Sequence, residues 1–90
     1  MTPTIGRIVY VEFSGETFNG SRVHPAIVTA VWSEQCINCR VFVDGPDVPW
    51  LTSVEREDIV VSRGDWIPAA VLPPRAVWFW PPRQGEQNGK

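Results

Sequence analysis

The hydrophobic residues of this chain recur with a period of two, and no apolar stripe of period 3.6 competes with them. Short runs rich in β-branched and aromatic residues are separated by clusters of Gly, Pro, Asn, Asp and Ser, which favour turns. We therefore predict strands over residues 5–13, 26–32, 36–43, 49–54, 59–61 and 78–80, with a charged bend at 55–58 joining the fourth and fifth of these segments.

Alternation is clearest in the third strand. Residues 37, 39, 41 and 43 are Ile, Cys, Val and Val, which predicts that this side faces the core. The other side carries Cys36, Asn38, Arg40 and Phe42. It therefore combines an amide, a forked cation and an aromatic ring on one face.

These elements predict an all-β fold. About five short antiparallel strands, a long first loop over residues 14–21, tight later turns and no predicted helix are typical of a small SH3-like β-barrel. Residues 64–74 contain three prolines, which favour extended chain. We expect one barrel domain over residues 1–83 and a disordered polar tail over residues 84–90.

Composition and charge exclude several classes of function. Apolar residues make up 43% of the 90 residues and charged residues 20%, as in ordinary globular domains. The net charge of −2 provides no positive field for nucleic acid or an anionic membrane. No run of 18 apolar residues and no signal-peptide core is present, so we expect a cytoplasmic protein.

Four segments carry a resemblance. They read Ile-Gly-Arg-Ile-Val-Tyr at residues 5–10, His-Pro-Ala-Ile-Val-Thr at 24–29, Val-Phe-Val-Asp-Gly at 41–45 and Trp-Phe-Trp-Pro at 78–81. In this pattern the chain resembles a family of small proteins of tailed bacteriophages, whose ending often reads Trp-His-Trp-Pro; Phe79 departs from it. The resemblance implies a phage or prophage accessory protein. By analogy of class, it suggests sequestration of nucleotide signals of host defence.

Candidate catalytic and metal-binding residues are few. Cys36 and Cys39 have CxxC spacing, but two thiols are half of a zinc site and no βαβ context supports a redox pair. The single imidazole, His24, precedes a proline, where packing is its common use. The run of Glu55, Glu57 and Asp58 around Arg56 is typical of a solvated turn. We expect no enzyme activity, no cofactor and no metal.

Arginine and aromatic residues indicate binding instead. Seven of the eight basic residues are Arg, and the chain contains five Trp, more rings than so small a core can hold. Alternation places Trp78 and Trp80 on one side and Phe79 on the other. We predict that a small nucleotide-like anion is held by a ligand-binding set of Asn38, Arg40, Phe42 and Trp80, with Arg7 and Arg75 next.

Three alternatives remain open at this stage. The same residue types are enriched at protein interfaces, so the aromatic surface also suits a subunit interface, which is slightly favoured, or a protein-interaction or virion-accessory module. Binding of single-stranded nucleic acid fits the net charge of −2 poorly, because such proteins normally line their groove with positive charge. We expect a homo-oligomer, because pairing of subunits supplies burial that a small core lacks and shapes a pocket that one barrel does not enclose.

Overall fold

The chain forms a closed five-stranded barrel with one short helix, seen in a computed structural model that describes residues 2–13, 21–64 and 76–81. The elements are β1 (Ile8–Phe13), β2 (Val23–Val31), β3 (Cys36–Val41), β4 (Trp50–Arg56), α1 (Glu57–Ser62) and β5 (Ala76–Phe79). The predicted all-β, SH3-like barrel is confirmed. The expected polar tail, most of the first loop and most of the proline-rich segment lie outside the described residues.

Strand pairing closes the barrel in sequence order. The pairs β1–β2, β2–β3, β3–β4 and β1–β5 are antiparallel. The closing pair, β4–β5, is parallel and short, with Glu55 opposite Val77 and Arg56 opposite Trp78. The expectation of antiparallel strands therefore holds for four of the five pairs. A parallel pair requires a crossover connection, and α1 lies on that connection.

One strand prediction is wrong. Residues 59–61, predicted as strand from their β-branched types, belong to α1. Two acidic residues, Glu57 and Asp58, occupy its first turn, where negative charge is favourable, and Arg56 pairs with Asp58 at 2.7 Å. Val60 is buried while Val61 is 53% exposed. In so short a helix, burial of one apolar side decides the structure over intrinsic propensity.

The barrel interior is filled by the inward side of every strand. Trp78 is fully buried, and its Nε1 donates a hydrogen bond to the Gln35 carbonyl oxygen at 2.9 Å. The predicted inward side of β3 is confirmed. The core cluster consists of Val9, Val11, Phe13, Ala26, Val28, Ile37, Cys39, Val41, Val43, Val54 and Trp78.

The residues before β1 pack against the barrel rather than extending the strand. Gly6 has a φ of +93°, a conformation that favours glycine, so the strand begins at Ile8 and not at Ile5. The Gly6 amide donates to the Val28 carbonyl at 2.8 Å, and the Val28 amide donates to the Arg7 carbonyl at 2.9 Å. Pro3 is fully buried.

Candidate functional site

Outward side chains of four adjacent strands form two rows across the barrel surface. In the first row Ile8 lies opposite Ile27, Ile27 opposite Arg40, and Arg40 opposite Trp50. Because cross-strand partners project to the same side of a sheet, these four side chains share one face. Arg40 therefore lies next to Trp50 on one side and Ile27 on the other.

The second row lies two residues further along each strand and is mostly aromatic. Phe79 pairs with Tyr10, and Tyr10 with Pro25. The Tyr10 and Phe79 rings meet edge to face, with their centroids 5.7 Å apart. The Phe42 amide donates to the Pro25 carbonyl at 2.9 Å, which continues the row onto the end of β3.

Beyond the second row, Glu12 on β1 lies opposite Val23 on β2. We use the name outer face for nine outward residues of β1, β2, β3 with its end, and β4, leaving out Phe79 on β5: Ile8, Tyr10, Glu12, Val23, Pro25, Ile27, Arg40, Phe42 and Trp50. Its large apolar members are unusually open to solvent. Trp50 is 52% exposed, Ile8 47%, Phe42 45% and Val23 38%. Scattered exposed hydrophobic residues are normal, but a contiguous group across four strands is typical of a binding surface.

Arg40 differs from other arginines in what its side chain contacts. Arg56 pairs with Asp58 at 2.7 Å, Arg63 pairs with Glu55 at 2.6 Å, and the Arg7 guanidinium lies 5.4 Å from the centre of the Trp80 ring. The exposed Arg40 side chain has no hydrogen bond, ion pair or ring contact within the described part of the chain. Its five donors are available to a bound group.

Asn38, predicted to share this face as a ligand residue, is buried and occupied. Its Oδ1 accepts hydrogen bonds from Trp32 Nε1 at 2.8 Å, from Thr52 Oγ1 at 3.0 Å and from the Ser53 amide at 2.9 Å. Its exposed fraction is 7%. The structure therefore separates Asn38 from Arg40 and Phe42 and gives it a structural role in the barrel wall.

Two β-bulges explain the burial of Asn38. On β4, Thr52 and Ser53 both lie opposite this single residue, and on β2 the register shifts by one residue at Thr29. Ser53 has a φ of +56°, which is strained for a residue other than glycine. Bulges increase local twist and bend the sheet. The bend lets Trp32 and the bulged strand cover Asn38.

The predicted residues Arg7 and Trp80 form a separate pair at the barrel end where β1 begins. Trp80 packs on the core and meets Trp78 edge to face at 5.2 Å between ring centroids. The Arg7 guanidinium lies over the Trp80 ring, so both residues already have contacts. Arg75 lies outside the described residues. The structure thus brings together Arg40 and Phe42 from the predicted set, and Arg7 and Trp80 elsewhere.

Trp50 and Ile8 are members of the outer face that single-strand alternation does not identify. The predicted turn does not supply the pairing either. Folding the chain evenly about residues 44–47 places Trp50 opposite Val41, whereas the structure pairs Trp50 with Arg40, one residue away on β3. Because a shift of one residue moves a side chain to the other face of the sheet, the place of Trp50 beside Arg40 depends on the register that the structure shows.

Both cysteine thiols lie in settings that disfavour the reactive thiolate. Burial raises the pKa of the Cys39 thiol to about 11. Burial, with a contribution from the Glu55 carboxylate, also raises the pKa of Cys36. Since the thiolate is the nucleophile and metal ligand, neither thiol is activated at neutral pH. Within residues 2–13, 21–64 and 76–81, no three His, Cys, Asp or Glu side chains are grouped as a metal site would require.

The surface formed by the described residues includes two open depressions. One, of about 330 Å³, is lined by Tyr10, Val23, His24 and Pro25 and borders the outer face. The other, of about 260 Å³, lies where β4 and β5 diverge, between Thr52, Val60 and Ala76.

No helix among the described residues has the length and apolarity needed to cross a bilayer.

Comparisons with known proteins add no assignment. No protein-family model, no curated protein and no solved structure matches this chain significantly. Function must therefore be inferred from the geometry of the outer face.

Proposed function

We propose that this chain is a non-enzymatic binding module whose outer face holds a small, planar, anionic ligand of the nucleotide class. One observation supports the proposal most strongly: Arg40 is exposed and has no partner within the described residues, although it lies directly opposite Trp50 and two residues from Phe42. A guanidinium beside two exposed rings is suited to hold phosphate while a base stacks.

The roles of the three side chains follow from their chemistry. The Arg40 guanidinium donates paired hydrogen bonds to phosphate oxygens, and a hydrogen bond to a charged group contributes about 1.5 to 3 kcal/mol. Stacking of a base on Trp50 or Phe42 contributes roughly 1 to 3 kcal/mol per base. Arg7 and Trp80 form a second arginine–aromatic pair, at the barrel end, as a further candidate contact.

The resemblance to small proteins of tailed bacteriophages suggests the biological use. In this proposal the protein acts inside an infected host cell and sequesters a nucleotide signal of host defence. The module needs no cofactor or metal for this task, because binding alone lowers the concentration of the free signal.

Native mass spectrometry with a panel of linear and cyclic nucleotides tests the ligand class. We expect a stoichiometric adduct on the wild-type protein, with affinity lowered roughly 10- to 100-fold by Arg40→Ala. Arg63→Ala removes the same charge from the end of α1 and should leave uptake unchanged. Arg40→Lys keeps the charge but loses the fork, so it should bind with intermediate affinity.

Two results would contradict the proposal. One is wild-type protein that takes up no nucleotide from the panel. The other is uptake that Arg40→Ala leaves unchanged, which would move the ligand away from the outer face.

A second candidate function is a protein-interaction or virion-accessory module. It is favoured by the openness and apolar character of the outer face, since small-molecule sites are usually concave and interfaces carry exposed aromatic residues. Purified protein would then show a low absorbance at 260 nm. Partner binding would be lost with Phe42→Ala and retained with Val61→Ala, which trims an exposed valine on α1.

A further inference from the structure

The outer face carries one cation and one carboxylate, and they are too far apart to pair. Arg40 on β3 lies opposite Ile27 of β2, and Glu12 on β1 lies opposite Val23 of β2. Two strand spacings and four residues separate them, a distance of about 16 Å between their Cα atoms. Within the described residues neither side chain has an ion-pair partner of opposite charge.

These two charges lie symmetrically about the centre of the face. Their midpoint is Pro25 on β2, the strand between β1 and β3. Consider a two-fold axis in the plane of the interface that passes over Pro25, perpendicular to the line from Arg40 to Glu12. Rotation about this axis places Arg40 of one copy over Glu12 of the other. Symmetric dimers use the same patch on both subunits, so such an axis gives two identical ion pairs.

We propose that the outer face is a self-association surface, on which two copies pack face to face with Arg40 of each copy against Glu12 of the other. The same axis brings Pro25 against Pro25 and moves Phe42 toward Val23 of the second copy. The strands of the two faces then cross at roughly 110°, close to orthogonal sheet packing.

The size of the face predicts a weak dimer. A standard interface uses about 20 to 30 residues from each partner. The outer face provides nine, of which four large apolar side chains are 38% to 52% exposed. Association is therefore concentration-dependent and is to be measured up to millimolar protein. Like charges that face each other across an interface are strongly unfavourable, so charge reversal is a sensitive probe.

This inference does not depend on a nucleotide ligand. A phosphate bound to the Arg40 guanidinium competes with Glu12 of the second copy for the same N–H donors. Self-association is therefore measured without nucleotide. If the protein does not self-associate, the nucleotide-uptake experiment still decides the proposed function. If the protein takes up no nucleotide, the ultracentrifugation experiment below still decides self-association.

Analytical ultracentrifugation of two charge-reversal variants gives the test. In Arg40→Glu both contacts become acid against acid, and in Glu12→Arg both become base against base. We expect each variant alone to associate at least about tenfold more weakly than wild type. An equimolar mixture of the two should form a heterodimer with near wild-type affinity, because every contact is again complementary.

Circular dichroism of each variant checks that the barrel is intact. Arg63→Glu, which changes the charge equally but lies off the outer face, should associate as the wild type does. A wild-type protein that stays monomeric at the highest concentration overturns the proposal and leaves the face to a ligand or a different protein. So does a mixture that associates no better than the separate variants.

Discussion

Asn38 and Arg40 lie two residues apart on β3 and project to the same side of the sheet, yet their surroundings differ completely. Three donors converge on the Asn38 amide oxygen, and the residue is 7% exposed. Arg40 is exposed and has no partner within the described residues. A buried polar group that is fully bonded stabilises the fold, whereas an open one is available for binding. Position on a strand alone does not distinguish the two.

Replacement of Asn38 should produce the largest loss of stability. Asn38→Ala leaves the Trp32 indole, the Thr52 hydroxyl and the Ser53 amide without their acceptor, which costs about 2 to 3 kcal/mol in the free energy of unfolding. Urea denaturation should show a lower midpoint with an unchanged slope. Asn38→Asp keeps an acceptor oxygen and should lose less. Equal free energies of unfolding for Asn38→Ala and wild type would contradict the structural role of Asn38.

Replacement of Trp32 tests one donor of the three. Trp32→Phe keeps a ring over Asn38 but removes the Nε1 hydrogen bond of 2.8 Å. We expect a loss of about 1 kcal/mol in the free energy of unfolding, since the exposed ring contributes little burial. Trp32→Phe in the Asn38→Ala background should cost less than it does in wild type, because the shared bond is already absent. Additive losses would argue against this contact.

The alternation of β3 shows what sequence can predict. The inward placement of Ile37, Cys39, Val41 and Val43 followed from the period of two, as did exposure of Arg40 and Phe42. The burial of Asn38 did not, because it results from bulges in the strands on both sides. Such register shifts depend on neighbours that one strand's sequence does not reveal.

The helix and the outer face illustrate the same limit. The β-branched residues 59–61 favoured a strand, and tertiary packing of Val60 favoured a helix. The set of predicted ligand residues was drawn from one strand, so it missed Trp50, whose place beside Arg40 depends on cross-strand register. Arg7 and Trp80 were predicted as ligand residues from their residue types. Their contact with each other arises because β1 and β5 pair and bring both residues to one end of the barrel.

Replacement of Arg40 should leave stability nearly unchanged. Arg40→Ala removes an exposed side chain without partners, so the free energy of unfolding should change by less than about 0.5 kcal/mol. The same variant should lose nucleotide uptake and weaken self-association. Urea denaturation and native mass spectrometry on one preparation check both halves. A destabilisation as large as that of Asn38→Ala would show that Arg40, too, is structural.

The smallest effect concerns Glu57, which lies in the first turn of α1 and interacts electrostatically with Glu12 of the outer face. Burial, then Glu12, then Asp58 raise the pKa of Glu57 above its ordinary value. A raised pKa in the folded state means that folding favours the protonated form, so this stabilisation is present below the unfolded pKa and is lost as pH rises through the folded pKa.

Glu57→Gln should therefore raise the thermal midpoint slightly at neutral pH and leave it unchanged in acid, below the unfolded pKa. Thermal unfolding followed by circular dichroism at both pH values checks the difference. An increase of the same size at both would exclude titration of Glu57 as its cause.

The most direct test of the central claim observes the arginine side chains themselves. In a nucleotide titration followed by NMR of the arginine Nε–Hε groups, we predict a saturable shift of the Arg40 signal. The signals of Arg56 and Arg63, which are already paired with carboxylates, should stay in place. Saturable binding that leaves the Arg40 signal unmoved would contradict the account of the outer face as the ligand site.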